Sequence, residues 1–506
     1  MLSDPTRTIL GRDPTHRTHA INGYAFQQDA IRTFNGWQYA CFYASLPPAR
    51  EPLYVHLSRR KLPDGAWETF AFEDYAQTVD DGHNTVQLGI CAGDGTIHLS
   101  YDHHCDALRY RHSGAGAATS PERVAAWGPG LFTATLSSLP GLSTAAMAGL
   151  LGYVTYPRFV ARGPDLLFTF RTGKAGLGDD HLCVYTASSP GTGAEAEREG
   201  EGGKVVGLGS YRFLGTHLKG VQNNPYIHGL DVSWGDGDGG GGGRLHATWV
   251  YREFVPYDGW DDPLDTKHKA QAGPNSAANN RDICHAWSAD GGVRWYGSDN
   301  KGRAAVAAGG EGKEEGKEEK EKNKGVIADL TRGESILPTS PGILAFAVPR
   351  GAGLTNQEAQ AVDRDGGVHV LNRDALDDDG VLRWRHYYLS PSDGEGWTRR
   401  TLAVPGVLDG DDGACGGRRG QVAAARDGDV YFVLPHGADP ALVVLRASAA
   451  GRYAAYEVAW RRGGFPPGDP LVDKARLAGD NVLSVFTRAF AGPGGDVDVV
   501  VLDFLL

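Results

Sequence analysis

The stretch DGHNTVQLGICAGDGTIHLSYDHHCD, residues 81–106, carries His83, His103 and His104. Imidazoles bind metals when neutral and carry protons near neutral pH, so three in one short span suit a zinc-type site or an acid/base pair. Ordinary loop polarity is a third reading, and the stretch alone leaves all three open. Further along, Tyr156, Arg158 and Arg171 stand in YPRFVARGPDLLFTFR. A tyrosine can exchange a proton, and an arginine fork matches a carboxylate better than a lysine does. Then come His228 and Arg252, the group Asn356, Gln357 and Gln360, and finally Arg419 and His436. Any one of these alone is more often a satisfied structural group than a functional one, so the question is whether the fold gathers them.

The bulk composition narrows the partners. A formal net charge of −12 over 506 residues gives nucleic acid or an anionic membrane no overall attraction, and an acidic substrate would need a local basic pocket. No apolar window is long enough to span a membrane. The opening MLSDPTRTILGRDPTHR lacks the apolar core of a secretory signal, which points to the cytoplasm, whereas a polymeric substrate would favour export. The six cysteines are scattered without a C-x-x-C pair, as expected of reduced, buried thiols.

The elements that must position these side chains form a repeat. An alternating apolar segment, a Gly/Asp/Asn turn and a second alternating segment recur seven times. The copies are QQDAIRTFNGWQYACFYA, HNTVQLGICAGDGTIHLSYDHH, YPRFVARGPDLLFTFR, HGLDVSW with RLHATWVYR, QAVDRDGGVHVLNR, RGQVAAARDGDVYFVLPH and KARLAGDNVLSVFTR. Further strand-like runs between copies bring each to about four strands, the content of a propeller blade. The fold class is therefore all-β, a seven-bladed β-propeller with disordered loop insertions, one domain over 1–506. The insertions are the low-complexity runs at about 189–203, 235–243 and 309–325, too polar to contribute a core. Ser288–Trp295 fits the S-x-D-x-G-x-x-W turn of propeller blades, the Asp box, and Ser392-Asp393-Gly394 with Trp397 is a degenerate copy.

Register turns this spacing into proximity, because facing side chains on paired strands lie about 5 Å apart. With Ile90 opposite Thr96, His83 faces His103 and His104 points to the other side. With Ala161 opposite Leu166, Tyr156 faces Arg171. The fourth hairpin can pair His228 with Arg252, and a turn at Asp427-Gly428 pairs Arg419 with His436. These polar pairs fall at one end of the innermost hairpins, where a propeller opens its channel. Zinc on His83 and His103 lacks an evident third ligand, so no metal site is assigned.

DGHNTVQLGICAGDGTIHLSYDHH, TYPRFVARGPDLLFTFRTG, the Asp-box segment and LTNQEAQAVDRDGGVHVL together resemble the BNR-4 (bacterial neuraminidase repeat-like) family over nearly the whole chain outside the insertions. The resemblance implies a polysaccharide lyase that cleaves a rhamnosyl-(1→4)-glucuronate linkage by β-elimination. It implies a site of two histidines from one hairpin, a tyrosine and an arginine, here His83, His103, Tyr156 and Arg171. Arg171 would neutralise the uronate carboxylate and favour the Tyr156 phenolate, and the order of proton transfer among Tyr156, His83 and His103 stays open. Arg158, His228, Arg252, Asn356, Gln360, Arg419 and His436 are the candidate substrate-binding residues. No cofactor is required, a structural Ca²⁺ in the channel is left open, and the partner expected is a uronic-acid glycan bound by a monomer. Exo action that releases rhamnose is favoured, because few basic residues cluster outside the pocket to grip a long chain. The rival readings are an endo-acting ulvan lyase, a sialidase-like hydrolase and a non-catalytic glycan-binding propeller.

Overall fold

The computed structural model describes residues 1–24, 29–188, 208–233, 243–262, 264–267, 269, 274–298, 325–391, 396–405, 407–408, 418–436, 440–492 and 495–506. The three low-complexity insertions lie outside the described residues, apart from Gly243 and Gly325 at their ends, as do Ser392-Asp393-Gly394 and Cys415.

Seven antiparallel sheets form a seven-bladed β-propeller. The channel-facing strands of blades 1 to 7 are Ile31–Phe34, Val86–Ile90, Val154–Arg162, Asn223–Ser233, Ala359–Val362, Gln421–Ala424 and Leu471–Val472. Residues from all seven line a central cavity of about 250 Å³. The strand content is less uniform than the repeat suggests. Among the described residues, blades 1, 5, 6 and 7 have four strands, blade 2 has three, blade 3 five and blade 4 six.

Stacking blades covers both faces of their middle strands, which explains continuous apolar runs where simple alternation would otherwise be expected. Trp37–Ser45, WQYACFYAS, is buried at every position but its last, and Val497–Leu505 likewise. In the Ser288–Trp295 turn, Asp290 Oδ1 accepts from Arg294 N at 2.8 Å and from Ser288 Oγ at 2.9 Å, and the Trp295 indole is buried. The carboxylate thus takes the place of strand partners inside the turn and lets the indole enter the core.

The last hairpin differs from its reading as two strands. Lys474–Asp480 is a short α-helix, not a strand. Asp473 caps it by accepting from Arg476 N at 3.1 Å, and Asn481 ends it at φ 57°. The channel-facing strand of blade 7 is the preceding Leu471–Val472, and the helix packs against blade 1.

Both chain ends build blade 7. Thr6–Arg12 pairs antiparallel with Val497–Leu505, from Thr6 opposite Asp503 to Arg12 opposite Asp498. A buried polar seam joins this blade to blade 1. Asp503 accepts from Arg60 at 2.5 Å, from Arg476 at 2.8 Å and from Ser484 at 2.6 Å, while Asp473 accepts from Thr33 at 2.6 Å and Gln38 at 2.9 Å. Removing one member of such a buried pair strands the remaining charge. Asp503→Ala should therefore lower the unfolding free energy by about 3–5 kcal/mol in a denaturant titration. Asp496→Ala, at an exposed ion pair, should change it by less than about 0.5 kcal/mol.

Candidate active site

The blade 2 ladder runs from Val86 opposite Tyr101 to Ile90 opposite Ile97, one residue away from the expected Ile90–Thr96 pairing. One residue of slip exchanges the two faces of a strand. Counting outward from Ile90–Ile97 now brings His104, not His103, level with His83. Positive φ at Asp102 (64°) and Cys105 (58°) then swings the chain over to blade 3, where His104 pairs with Thr155. The His83 and His104 rings stack at 4.0 Å, 16° from parallel. Asp81 bridges their edges: its carboxylate accepts from His83 Nδ1 at 2.5 Å and from His104 Nδ1 at 2.6 Å. Burial, then His83, holds His104 down to about 4 against the pull of Asp81, so its ring is neutral at pH 7.

His103 is the correction. It is buried away from this pair, and its Nε2 accepts from Arg109 N at 2.8 Å. Burial pushes it well below the ordinary imidazole value, which suits a neutral structural acceptor.

In blade 3, Ala161 pairs with Leu166 as counted, but a bulge intervenes before the end of the ladder. Arg158 opposes Thr169, then Thr155 opposes Arg171, so Tyr156 and Pro157 fall within the register shift. Tyr156 adopts φ 53° there. The intended neighbours still meet, through side chains: the Arg171 guanidinium lies 4.9 Å from the Tyr156 ring centre, and the His83 ring lies 5.8 Å from it. Burial raises the Tyr156 phenol, Tyr226 raises it further, and Arg171, Arg252 and Arg419 pull it down. Arg171 thus acts in the expected direction but burial wins, so the phenol keeps its proton.

Arg171 donates to Tyr226 Oη at 3.2 Å and to Gly173 O at 3.0 Å, and its buried Nε has no hydrogen-bond partner among the described residues. Tyr226 was not singled out in the sequence. Its signal is its place in NNPYIH on the channel-facing strand of blade 4, one side of a bulge at His228. The Arg252 guanidinium covers the other part of its ring at 4.5 Å. Arg252 opposes Asn224, four residues before His228, so the expected pairing does not form; His228 itself sits in a bulge between Ile227 and Gly229, which pair with Trp249 and Thr248. His228 instead accepts from Glu358 N at 3.1 Å, and burial lowers it to about 3.

Arg252 and Arg419 converge on Asn356 from blades 4 and 6, with Arg252 Nη2 2.8 Å from Asn356 Oδ1 and Arg419 Nε 2.8 Å from Asn356 O. Gln357, next in the chain, has φ 55° and accepts from Asn356 Nδ2 at 3.2 Å. Arg419 also faces Asp469 rather than His436, because Gln421 pairs with Val433 and the register again differs by one from the expected count. His436 pairs with Ala441. Arg158 and Gln360 line the central cavity, not the His83–Tyr156 cluster: Arg158 donates to Ile227 O at 2.5 Å and Gln360 Nε2 to Asp231 at 2.9 Å.

Asp81, His83 and His104 offer three donor atoms within 4.8 Å, the one such group among the described residues. A carboxylate only accepts, so each Nδ1 facing Asp81 carries a proton, and the set stands as a hydrogen-bonded triad. The channel carboxylates are matched as well: Lys474 Nζ lies 2.8 Å from Asp231, Phe159 N donates to Asp29 at 3.0 Å, and Arg32 and Arg158 share the cavity wall. This balance of charges does not fit Ca²⁺, and no chemical step is derived through a metal ion.

Buried neutral histidines make stability depend on pH. Burial lowers His104 and His181 to about 4 and His217 and His228 to about 3, and takes His98 and His386 well down. Unfolded imidazoles titrate near 6.5, so below that pH the unfolded chain binds protons the folded chain refuses. Asp29 and Asp180, raised by burial to about 6 and about 7, act oppositely but are outnumbered. The thermal midpoint should fall steadily from pH 6.5 to 4.5; a flat profile would contradict this assignment of charge states.

Residues 37–404 match the family described as BNR repeat-containing family member. A search of curated proteins gives no match. The polysaccharide lyase Uly1 aligns over 100% of this chain and 99% of its own, with a TM-score of 0.61 and 15% identity. The fucose-specific lectin from Aleuria aurantia covers 88% of this chain and 98% of its own, at a TM-score of 0.37 and 9% identity. The GH93 α-L-arabinofuranosidase of Fusarium graminearum covers 83% and 91%, at 0.36 and 10%. Only the first likeness is close enough to bear on the fold, and with the family match over most of its length, the chain belongs to the BNR repeat-containing family.

Proposed function

We propose that the protein is a polysaccharide lyase that cleaves a rhamnosyl-(1→4)-glucuronate linkage by β-elimination, acting at chain ends to release rhamnose. The observation that carries this reading is the placement of Arg171, with an unpartnered buried Nε, against a protonated Tyr156 and the His83–His104 pair. Removing H5 of a uronate pushes electrons into the C6 carboxylate, and a fixed guanidinium in a dry pocket stabilises that charge. His83 Nε2 takes H5 as base. The C5–H electrons form the C4=C5 double bond, the C4–O4 bond breaks, and the Tyr156 phenol gives its proton to O4. A phenol held above its ordinary value is suited to be the acid, and an imidazole whose Nδ1–H is fixed on Asp81 is suited to be the base.

Arg252, Asn356 and Arg419 form the adjoining polar wall, with Tyr226 between the two arginines Arg171 and Arg252 as a substrate-facing surface. His103 has its Nε2 committed to Arg109, so the second histidine of the site is His104. The whole-length likeness to a polysaccharide lyase supplies a protein of the same architecture with this class of activity. The rhamnosyl-glucuronate linkage comes from the family resemblance of the D-G-H-N-T and Y-P-R-F segments.

Incubation with gum arabic and with ulvan, followed by ultraviolet absorbance of the unsaturated uronate and by free rhamnose, tests the reading. Absorbance with rhamnose as the first product is expected from gum arabic. Reducing sugar without absorbance would mean hydrolysis, and larger unsaturated products from ulvan would mean endo action. Tyr156→Phe and Arg171→Ala should each reduce kcat about 10²–10⁴-fold with the melting temperature little changed. His104→Ala should cost about 10²-fold; near-normal turnover would remove His104 from the site.

A further inference from the structure

The geometry points to Asp81 as the positioning residue that makes the two histidines usable, a role that rests on the elimination reading for its kinetic consequence but on contacts alone for its structural one. Three donors converge on this one carboxylate. His83 gives both its backbone N–H, at 2.9 Å, and its Nδ1–H, at 2.5 Å, and His104 gives its Nδ1–H at 2.6 Å. Among the described residues the ion pairs of Asp81 are with these two imidazoles, so no arginine or lysine competes for the charge. Hydrogen bonds from both rings hold the carboxyl well below its ordinary range despite burial, leaving an anion at the Nδ1 edges of the two stacked rings.

The loop around Asp81 is fitted as tightly as the hydrogen bonds require. A Cβ on Gly82 would approach Ala20 O and the Tyr24 ring to 3.2 Å, and Asn84 N donates to Asp81 O at 3.1 Å. The Asp81 carboxylate therefore has little freedom to swing away from the rings.

Two consequences follow from one acceptor serving two Nδ1–H groups. Both rings are held in the same tautomer, with the proton on Nδ1 and Nε2 as the nitrogen that carries none. And when one ring takes the H5 proton, the imidazolium forms beside an anion already in hydrogen-bond contact, which offsets the repulsion of stacking a cation on its neighbour 4.0 Å away. Asp81 itself is spent on the histidines and does not reach the substrate.

The test is Asp81→Asn, read two ways. An asparagine accepts from one Nδ1–H and turns its own amide hydrogens towards the other ring, so one histidine must exchange tautomers. Nitrogen-15 imidazole spectra of the full chain, assigned with His83→Gln and His104→Gln, should show both rings as Nδ1–H in the wild type and one as Nε2–H in Asp81→Asn. In kinetics, kcat should fall about 10²-fold or more while KM moves less than about threefold. An Nε2–H tautomer in the wild type, unchanged spectra in the variant, or a loss carried by KM would each overturn the inference. If the spectra change as stated but no uronate glycan yields unsaturated product, the positioning role stands and the lyase reading falls.

Discussion

Ring closure is the constraint on which everything else depends. A single blade is a small twisted sheet that cannot bury its own faces, and each buries them only against the next. The ring must therefore be shut, and it is shut by pairing the first strand of the chain with its last. The seam of Asp503, Asp473, Arg60 and Arg476 then joins the seventh blade to the first through buried charges rather than apolar packing alone. Such pairs often gain little over apolar contacts, but separating them would leave buried charges uncompensated, which opposes any shift of one blade against the other. That alignment fixes the channel mouth, where side chains from blades 2, 3, 4, 5 and 6 must agree within hydrogen-bond distance.

The mouth runs against the charge of the whole. The chain carries a net −12, yet Arg171, Arg252 and Arg419 all act on the same buried phenol, Tyr156. At 4 Å a pair of unit charges in a partly buried setting is worth about 4 kcal/mol, whereas acidic groups scattered over the surface are screened beyond about 10 Å. The site thus gathers positive charge that the chain as a whole lacks.

Much of the architecture was legible because hairpins announce themselves. Alternation, Gly/Asp turns and sevenfold recurrence located every blade, and the Ala161–Leu166 register was right to the residue. The register slipped by one in blades 2 and 6, and by four in blade 4, where Arg252 opposes Asn224 and not His228. Ile90 pairs with Ile97, not Thr96, and Gln421 with Val433, so His103 gave way to His104 and Arg419 lost His436. A turn can be closed with one more or one fewer residue at small cost, and period-2 alternation is blind to that choice when both faces are buried, as they are in Val86–Ile90. The bulges at Tyr156 and His228 leave no mark in hydrophobicity at all. Asp81 was within the quoted segment, but a carboxylate beside histidines has no meaning until the rings are placed.

The residues that defeat pattern reading share a physical feature. Asp102, Cys105, Tyr156 and Gln357 all have positive φ without being glycine, and all four flank the site. A non-glycine residue in that region costs about 1–3 kcal/mol and persists only where its surroundings leave no alternative. Those surroundings are visible: Asp102 accepts from Gln77, Asn84 and Tyr75, and Cys105 N donates to Thr155 Oγ1 at 2.8 Å. The strain takes the chain out of the ladder at the points where a regular strand would aim its side chain at a neighbouring blade. Within the register shift between Thr155 and Arg158, the Arg171 guanidinium lies over the Tyr156 ring at 4.9 Å and the His83 ring lies 5.8 Å from it, tilted by 38°. A regular hairpin here would set Tyr156 directly opposite Arg171, as the Ala161–Leu166 pairing implies, whereas the bulge brings Thr155 opposite Arg171 and leaves the tyrosine to meet the guanidinium through its ring face.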